Sequence, residues 1–167
     1  VSKNNASQVI GGLQDNGGQV LSDGKWNNYH GGDGMDNAIS PLNDNLVYGF
    51  TQYGGFLSIS TDAGQAITTI RAPEVNGSNL QGNWITPLAI DANGAVYAGY
   101  NALYKLNGTT WEKISRNIGE GKGNIEDVEI HPTNPNIIVV GQDNQLHRST
   151  DGGLNLILIQ SFDREIS

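Results

Sequence analysis

The chain contains no cysteine. That excludes a disulfide scaffold, thiolate metal sites and a cysteine nucleophile, while leaving the cellular compartment open. Positive charge is scarce: nine Lys and Arg stand against 17 Asp and Glu, for a net charge of −8 and a pI near 4.6. Such a surface repels phosphate backbones and anionic lipid, so neither nucleic acid nor a membrane is an expected partner. Charged residues of both signs make up only 16% of the chain, too few for a charge-driven disordered segment. No apolar run approaches the length of a membrane span. No signal peptide opens the sequence, and Val1 is not a natural start, so an excised or processed piece of a longer protein is expected.

Glycine is plentiful, at 23 of 167 residues, and it falls in a pattern. A short β-rich run ending in Gly is written four times: Gln8-Val9-Ile10-Gly11-Gly12, Asn45-Leu46-Val47-Tyr48-Gly49, Ala95-Val96-Tyr97-Ala98-Gly99 and Ile137-Ile138-Val139-Val140-Gly141. The final glycines are 37, 50 and 42 residues apart. A period near forty residues built from short strands is the signature of propeller blades. Around each run the same grammar recurs. A leading strand and a polar or Pro-containing turn come before it, as in Asp127-Val128-Glu129-Ile130 and the turn 131–136. A third strand, a tight turn and a fourth strand carrying Trp26, Ile67, Trp111 or Leu156 follow it. The expected fold is all-β: a partial propeller of four-stranded antiparallel blades, three complete and one partial, from a larger propeller. The expected boundaries are a partial blade at 1–32, blades at 33–72, 84–118 and 124–163, and an exposed loop at 73–83.

Two third-to-fourth-strand turns, Ser60-Thr61-Asp62-Ala63-Gly64 and Ser149-Thr150-Asp151-Gly152-Gly153, resemble the Asp-box (BNR) motif, S-x-D-x-G followed by an aromatic. Ile67 and Leu156 stand where that motif has Trp, whereas Trp26 and Trp111 keep the ring in units without the full Ser/Asp pattern. The resemblance gives Ser60, Asp62, Gly64, Ser149, Asp151 and Gly153 a structural role. The Asp accepts backbone N–H groups, Gly permits positive φ, and the apolar anchor packs between blades. The whole chain is similar to BNR-repeat, sortilin-like and xyloglucanase-type propellers. Gly11-Gly12-Leu13-Gln14-Asp15-Asn16-Gly17 and Gly31-Gly32-Asp33-Gly34-Met35-Asp36 look like secreted Bacteroidetes proteins of this kind. That implies a secreted or cell-surface bacterial protein. It leaves activity open, because this scaffold serves hydrolases, receptors and adhesins.

In a propeller, the turn after the second strand and the loop entering the next blade share a face. The turns contribute Gln14, Asp15, Asn16, Gln52, Tyr53, Tyr100, Asn101, Gln142, Asp143 and Asn144 as candidate ligand-binding residues. The entry loops include 30–36 and 119–124. Amide, carboxylate and aromatic groups on a concave rim suit carbohydrate, since planar polar groups bond hydroxyls and rings stack on sugar faces. The same amides and acids also cap turns. Glycoside hydrolysis needs two carboxyl groups about 5–10 Å apart. Asp15, Asp33 and Asp36 are the catalytic candidates, with Asp143 also on this face. By resemblance to the xyloglucanase type, Thr51-Gln52-Tyr53-Gly54-Gly55 stands where a Thr-Asp-x-Gly-Gly turn supplies an acid, and Gln52 cannot transfer a proton. Sialidase chemistry needs an Arg cluster, and Arg71, Arg116, Arg148 and Arg164 lie outside these loops. No cofactor is expected. Asp33, Asp36 and Asp143-Asn144 offer oxygen ligands to Ca²⁺, without an EF-hand pattern, and His30, His131 and His147 give no Zn²⁺ spacing.

The favoured reading is a secreted propeller module that binds a glycan or cell-surface polymer. One alternative is a segment of a propeller glycoside hydrolase; another is a rigid spacer in an adhesin or a secretion-system cargo. Three and a half blades leave bare sheet faces, so further propeller chain, another copy or a second protein is expected to complete the ring.

Overall fold

The computed structural model describes residues 1–116, 118 and 123–164. It holds four antiparallel sheets in sequence. The first has three strands, β1 (Val9–Leu13), β2 (Gly17–Ser22) and β3 (Lys25–His30). The second has four, β4 (Gly34–Ser40), β5 (Asn43–Thr51), β6 (Phe56–Ser60) and β7 (Thr68–Arg71). A hairpin of β8 (Glu74–Val75) and β9 (Ser78–Asn79) follows. The third sheet is β10 (Leu88–Ile90), β11 (Val96–Gly99), β12 (Leu103–Asn107) and β13 (Thr110–Lys113). The fourth is β14 (Ile125–Ile130), β15 (Ile138–Gln142), β16 (Gln145–Ser149) and β17 (Ile157–Ser161). The fold is a partial β-propeller. The stretch 73–83, expected as a bare loop, carries the small exposed hairpin, because Asn76 and Gly77 both take positive φ and close a two-residue turn.

Each sheet is a meander, and consecutive sheets pack face to face through three separate apolar clusters. Val20 and Tyr29 meet Val47 between the first and second sheets. Phe50, Leu57 and Ile70 meet Leu88, Ala98 and Tyr100 between the second and third. Tyr97 and Leu103 meet Ile125, Val128 and Val140 between the third and fourth. The alternation along each strand sends one set of side chains back and the other forward. In β11, Val96 and Ala98 face the second sheet and Tyr97 faces the fourth.

The repeated glycine has a packing reason. A Cβ on Gly99 would sit 2.7 Å from Ile125 in the next sheet's leading strand, and one on Gly12 would collide with the backbone at Gly34 and Met35. Gly49 differs. Its open side faces back toward Tyr29 and His30 of the first sheet, and the forward-facing position is Phe50. The glycine of the second unit is therefore shifted by one residue from the landmark shared by the others.

The two Ser-x-Asp-x-Gly turns fold alike. Ser60 Oγ donates to Asp62 Oδ1 (2.7 Å) and accepts from the Gly64 N–H (2.8 Å), while Asp62 Oδ1 also accepts from the N–H groups of Gln65 and Ala66. Ser149 and Asp151 repeat this with Gly153 and Asn155. Gly64 and Gly153 stand at φ 89 and 94, where a side chain is strained, and both press against the preceding sheet. Of the four apolar anchors, Leu156 is buried against the third sheet and Trp111 stacks on Phe50 at 6.0 Å. Such an aromatic pair contributes about 0.5–1.5 kcal/mol beyond the area it buries. The other two anchors do not pack between sheets. Trp26 is 57% exposed because no sheet of this chain precedes the first. Ile67 is 46% exposed, while Gly64 of the same turn meets Val20 and Tyr29.

These bonds hold the Asp62 carboxyl below the usual range and that of Asp151 at about 2, through backbone N–H groups and the serine hydroxyls. Both folded pKa values are depressed. Their stabilisation is therefore complete above the unfolded value near about 3.9 and is lost as pH falls toward the folded values. The melting temperature is expected to drop between roughly pH 4 and pH 2, and an Asp62→Asn, Asp151→Asn double variant to show a flatter drop. Thermal unfolding across that range measures it.

Candidate functional site

The turns after the second strands and the loops entering the next sheets meet at one end of the molecule. Asp15 N–H donates to Asp33 Oδ1 at 2.7 Å. Tyr53 N–H donates to the Trp84 carbonyl at 3.1 Å, and Gly82 N–H to the Tyr53 carbonyl at 2.9 Å. Ile125 N–H donates to the Tyr100 carbonyl at 2.8 Å. Each contact joins one sheet's turn to the next strand at the face. Gln52 and Gln142 tie turn to entry within their own sheets: Gln52 N–H donates to the Asp33 carbonyl, and Gln142 Nε2 donates to the Gly123 carbonyl. Of the entry loop 119–124, only Gly123 and Asn124 lie within the described residues.

The ten expected ligand residues separate by burial. Gln14, Asp15, Asn16 and Tyr53 are exposed. Gln52, Asn101, Asp143 and Asn144 are half-buried; Asn101 Oδ1 accepts from the Tyr104 hydroxyl, and Asn144 Nδ2 donates to the Phe162 carbonyl. Tyr100 and Gln142, also expected on the ligand face, are fully buried. Their work is internal. The Tyr100 hydroxyl donates to the Gly54 carbonyl at 2.7 Å and pins the turn that carries Tyr53. His30, at the start of an entry loop, is also buried, edge-on to Tyr29 at 4.7 Å, and burial pushes its pKa down.

Backbone geometry explains several of the acids. Asp15, Tyr53 and Asp143 occupy matching turns at φ 64, 59 and 52. Aspartate tolerates this left-handed region better than most residues, so Asp15 and Asp143 suit their turns without any ligand. Tyrosine does not suit it. Tyr53 is held there by the two backbone bonds to Gly82 and Trp84, and its ring stands edge-on to Trp84 at 5.0 Å. Both rings are 40% exposed.

Beside this pair lies an open cleft of about 690 Å³ lined by Asp36, Asn83, Trp84, Ile85, Pro87, Glu126 and Asp127. Asn83 Nδ2 donates to Glu126 Oε2 at 2.8 Å and to the Ile125 carbonyl at 3.2 Å, bridging the third and fourth sheets. Sequence reasoning missed Trp84, Asn83, Glu126 and Asp127 as site residues. Two signals were available: Trp84 falls at the blade-entry position of the third unit, and Asp127 matches Asp36, because Asn37, Leu88 and Val128 pair with Gly49, Ala98 and Val140 at one register.

Asp36 is engaged as a clamp. Its Oδ1 accepts from the Asn37 N–H and its Oδ2 from the Leu88 N–H of the next sheet, both at 2.9 Å. Burial pushes its pKa up, the two N–H groups pull against that, and the charge of Asp127 adds to the rise. Both oxygens of this carboxylate are thus engaged by backbone donors, one of them in the next sheet. One oxygen of Asp33, Oδ1, accepts from the Asp15 N–H. Among the described residues, no group of three or more His, Asp or Glu side chains gathers as a metal site.

No protein-family model matches the chain, and no curated protein matches its sequence. Solved structures do match in fold. A GH74 enzyme from Niastella koreensis superposes with a TM-score of 0.71 at 24% identity, over 96% of this chain and 29% of that one. The GH74 xyloglucanase from Xanthomonas campestris gives 0.70 at 16% identity, over 96% and 29%. YCF48, solved bound to a D1 peptide, gives 0.63 at 14% identity, over 92% of this chain and 50% of that one. The chain thus spans under a third of the GH74 proteins it resembles, and what is shared is the propeller fold. Among the described residues, no helix is long and apolar enough to cross a membrane.

The clamp reading of Asp36 is testable. Asp36→Ala leaves the Leu88 N–H without its acceptor and is expected to cost about 1–3 kcal/mol. Asp127→Ala, at an exposed carboxylate, is expected to change stability by less than about 0.5 kcal/mol. Urea unfolding of the two variants compares them directly.

Proposed function

We propose that this chain is a segment of a secreted β-propeller that binds a glycan on the face where turns and entry loops meet, with Tyr53 and Trp84 as the contact platform. The observation that carries the reading is the conformation of Tyr53. A bulky residue in the left-handed region costs about 1–3 kcal/mol and persists only where surrounding structure enforces it. Here the Tyr100 hydroxyl, the Gly82 N–H and the Trp84 carbonyl hold the turn, and the result is an exposed aromatic pair beside a cleft whose apolar wall of Trp84, Ile85 and Pro87 is set among carboxylate and amide groups. Aromatic faces stack on sugar rings, and Asn83, Glu126 and Asp127 supply hydrogen-bonding groups for hydroxyls. The likeness to GH74 enzymes, one a xyloglucanase, makes xyloglucan oligosaccharides the natural first probe.

Binding is favoured over hydrolysis because two of the three catalytic candidates, Asp33 and Asp36, are engaged by backbone N–H groups. Asp36 holds two backbone N–H groups, Asp33 holds the Asp15 N–H, and Gln52 cannot donate or accept a proton in catalysis. The Ser-x-Asp-x-Gly turns fit an Asp-box role in stability, remote from this chemistry.

A glycan array followed by calorimetry on hits tests the reading, with a reducing-sugar assay alongside. Wild type is expected to bind without releasing product. Trp84→Ala is expected to weaken binding at least tenfold, or about 1.4 kcal/mol. Tyr53→Gly, which relieves the left-handed strain, is expected to lose binding while its melting temperature stays within about 4 °C of wild type. Product release that Asp15→Asn abolishes would establish a hydrolase instead, and binding untouched by either platform variant would move the site elsewhere.

A further inference from the structure

The cleft beside Tyr53 and Trp84 is rich in hydrogen-bond acceptors and poor in donors. Among its described lining residues, Asp36, Glu126 and Asp127 carry carboxylates, and none is Lys, Arg or His. An ionised carboxylate only accepts hydrogen bonds. The Asn83 amide has two hydrogens to give, and its Nδ2 already donates to Glu126 Oε2 and to the Ile125 carbonyl. Of the described lining side chains, Trp84 keeps a donor in its indole N–H, while Ile85 and Pro87 supply apolar surface.

The backbone at the cleft's inner end adds to this imbalance. Asp36, Pro87 and Asp127 precede Asn37, Leu88 and Val128, which hold one register in the second, third and fourth sheets. The Asn37 and Leu88 N–H groups donate to Asp36, and the Val128 N–H donates to Asp127 Oδ1. Pro87 has no N–H to give. The two acids also sense each other, since the charge of Asp127 adds to the rise in the Asp36 pKa. Like charges sharing one opening favour a cation between them.

Resting on the reading of this face as a glycan site, we infer that the cleft prefers a glycan bearing protonated amines, of the glucosamine type, over neutral, uronic or sulfated sugars. An ammonium group brings three N–H donors and no acceptor, the complement of this wall. Its charge sits against the carboxylates, and the faces of Trp84 and Tyr53 attract cations as well as stacking on the sugar ring. A uronate or sulfate brings acceptors and negative charge to a wall that already has both. A neutral sugar keeps the stacking and forgoes the charge attraction.

The test is calorimetry on the 167-residue chain with hexamers of glucosamine, N-acetylglucosamine and galacturonic acid. It is run at roughly pH 6, where amines are protonated and ordinary carboxylates ionised. The glucosamine hexamer is expected to bind about tenfold tighter than its N-acetyl counterpart, the scale of one unit-charge attraction near a protein surface. Added salt is expected to narrow that gap, and the galacturonate to bind weakest. Glu126→Gln combined with Asp127→Asn keeps the size and an acceptor oxygen of each side chain. It is expected to bring the glucosamine and N-acetylglucosamine hexamers within about twofold of each other. Equal binding of these two, tighter binding of the galacturonate, or a gap that survives the double variant would overturn the inference. If the double variant loses its fold by circular dichroism, the salt series decides, and a gap insensitive to salt overturns the inference. A xyloglucan oligosaccharide run alongside separates the two claims. Its binding beside any of those results overturns the amine preference alone, and silence toward every sugar overturns the glycan reading as well.

Discussion

Everything in this molecule depends on how closely one four-stranded sheet can approach the next. Antiparallel strands of four or five residues bury too little to stand alone, so each sheet must give both faces to neighbours. The close approach is bought at glycine. Gly99 leaves room for Ile125, Gly12 for the strand at Gly34 and Met35, and Gly64 and Gly153 bring their turns flat against the preceding sheet. The Ser-Asp hydrogen bonds then hold those turns in a shape that only this packing uses.

The same packing creates the face proposed for binding. Because neighbouring sheets touch, the turn leaving one sheet lies within hydrogen-bond reach of the strand entering the next. Tyr53 illustrates the coupling. Its turn belongs to the second sheet, yet the third sheet supplies the Tyr100 hydroxyl that pins it and the loop before the third sheet supplies Trp84. Asp36 carries the coupling inward, accepting an N–H from the third sheet's leading strand at the wall of the cleft. A ligand on this face would therefore contact two sheets at once and be sensitive to their alignment.

The sheets were legible in the sequence because short β-rich runs, turn residues and glycine recur with a period that only stacked hairpins produce. The meeting of turns and entry loops followed from the same topology. What the sequence concealed is which way each residue points. Tyr100 and Gln142 stand in turns equivalent to those of Tyr53 and Asp15, but one residue past the strand pairs Gly99–Leu103 and Gly141–Leu146, where they still point into the core. Tyr53 and Asp15 lie further along. Gly49 hides a similar shift, since it reads like Gly99 and faces the opposite sheet. Trp84 went unnoticed because the third unit's entry loop is displaced by the β8–β9 hairpin, which breaks the spacing used to find its counterparts. Trp26 and Trp111 look equivalent in sequence and are so in register; only the presence of a preceding sheet makes one buried and the other bare.

The central functional claim is that the aromatic pair over the cleft is where ligand lands. The chain has three tryptophans, in three different settings: Trp26 on an outer sheet face, Trp111 between sheets and Trp84 at the cleft. Their indole N–H signals can be followed one by one by nuclear magnetic resonance while a xyloglucan oligosaccharide is added. The account predicts that the Trp84 signal moves and saturates while those of Trp26 and Trp111 hold still. Saturable movement confined to Trp26, or none at Trp84 when binding is measured by calorimetry in the same sample, would contradict it.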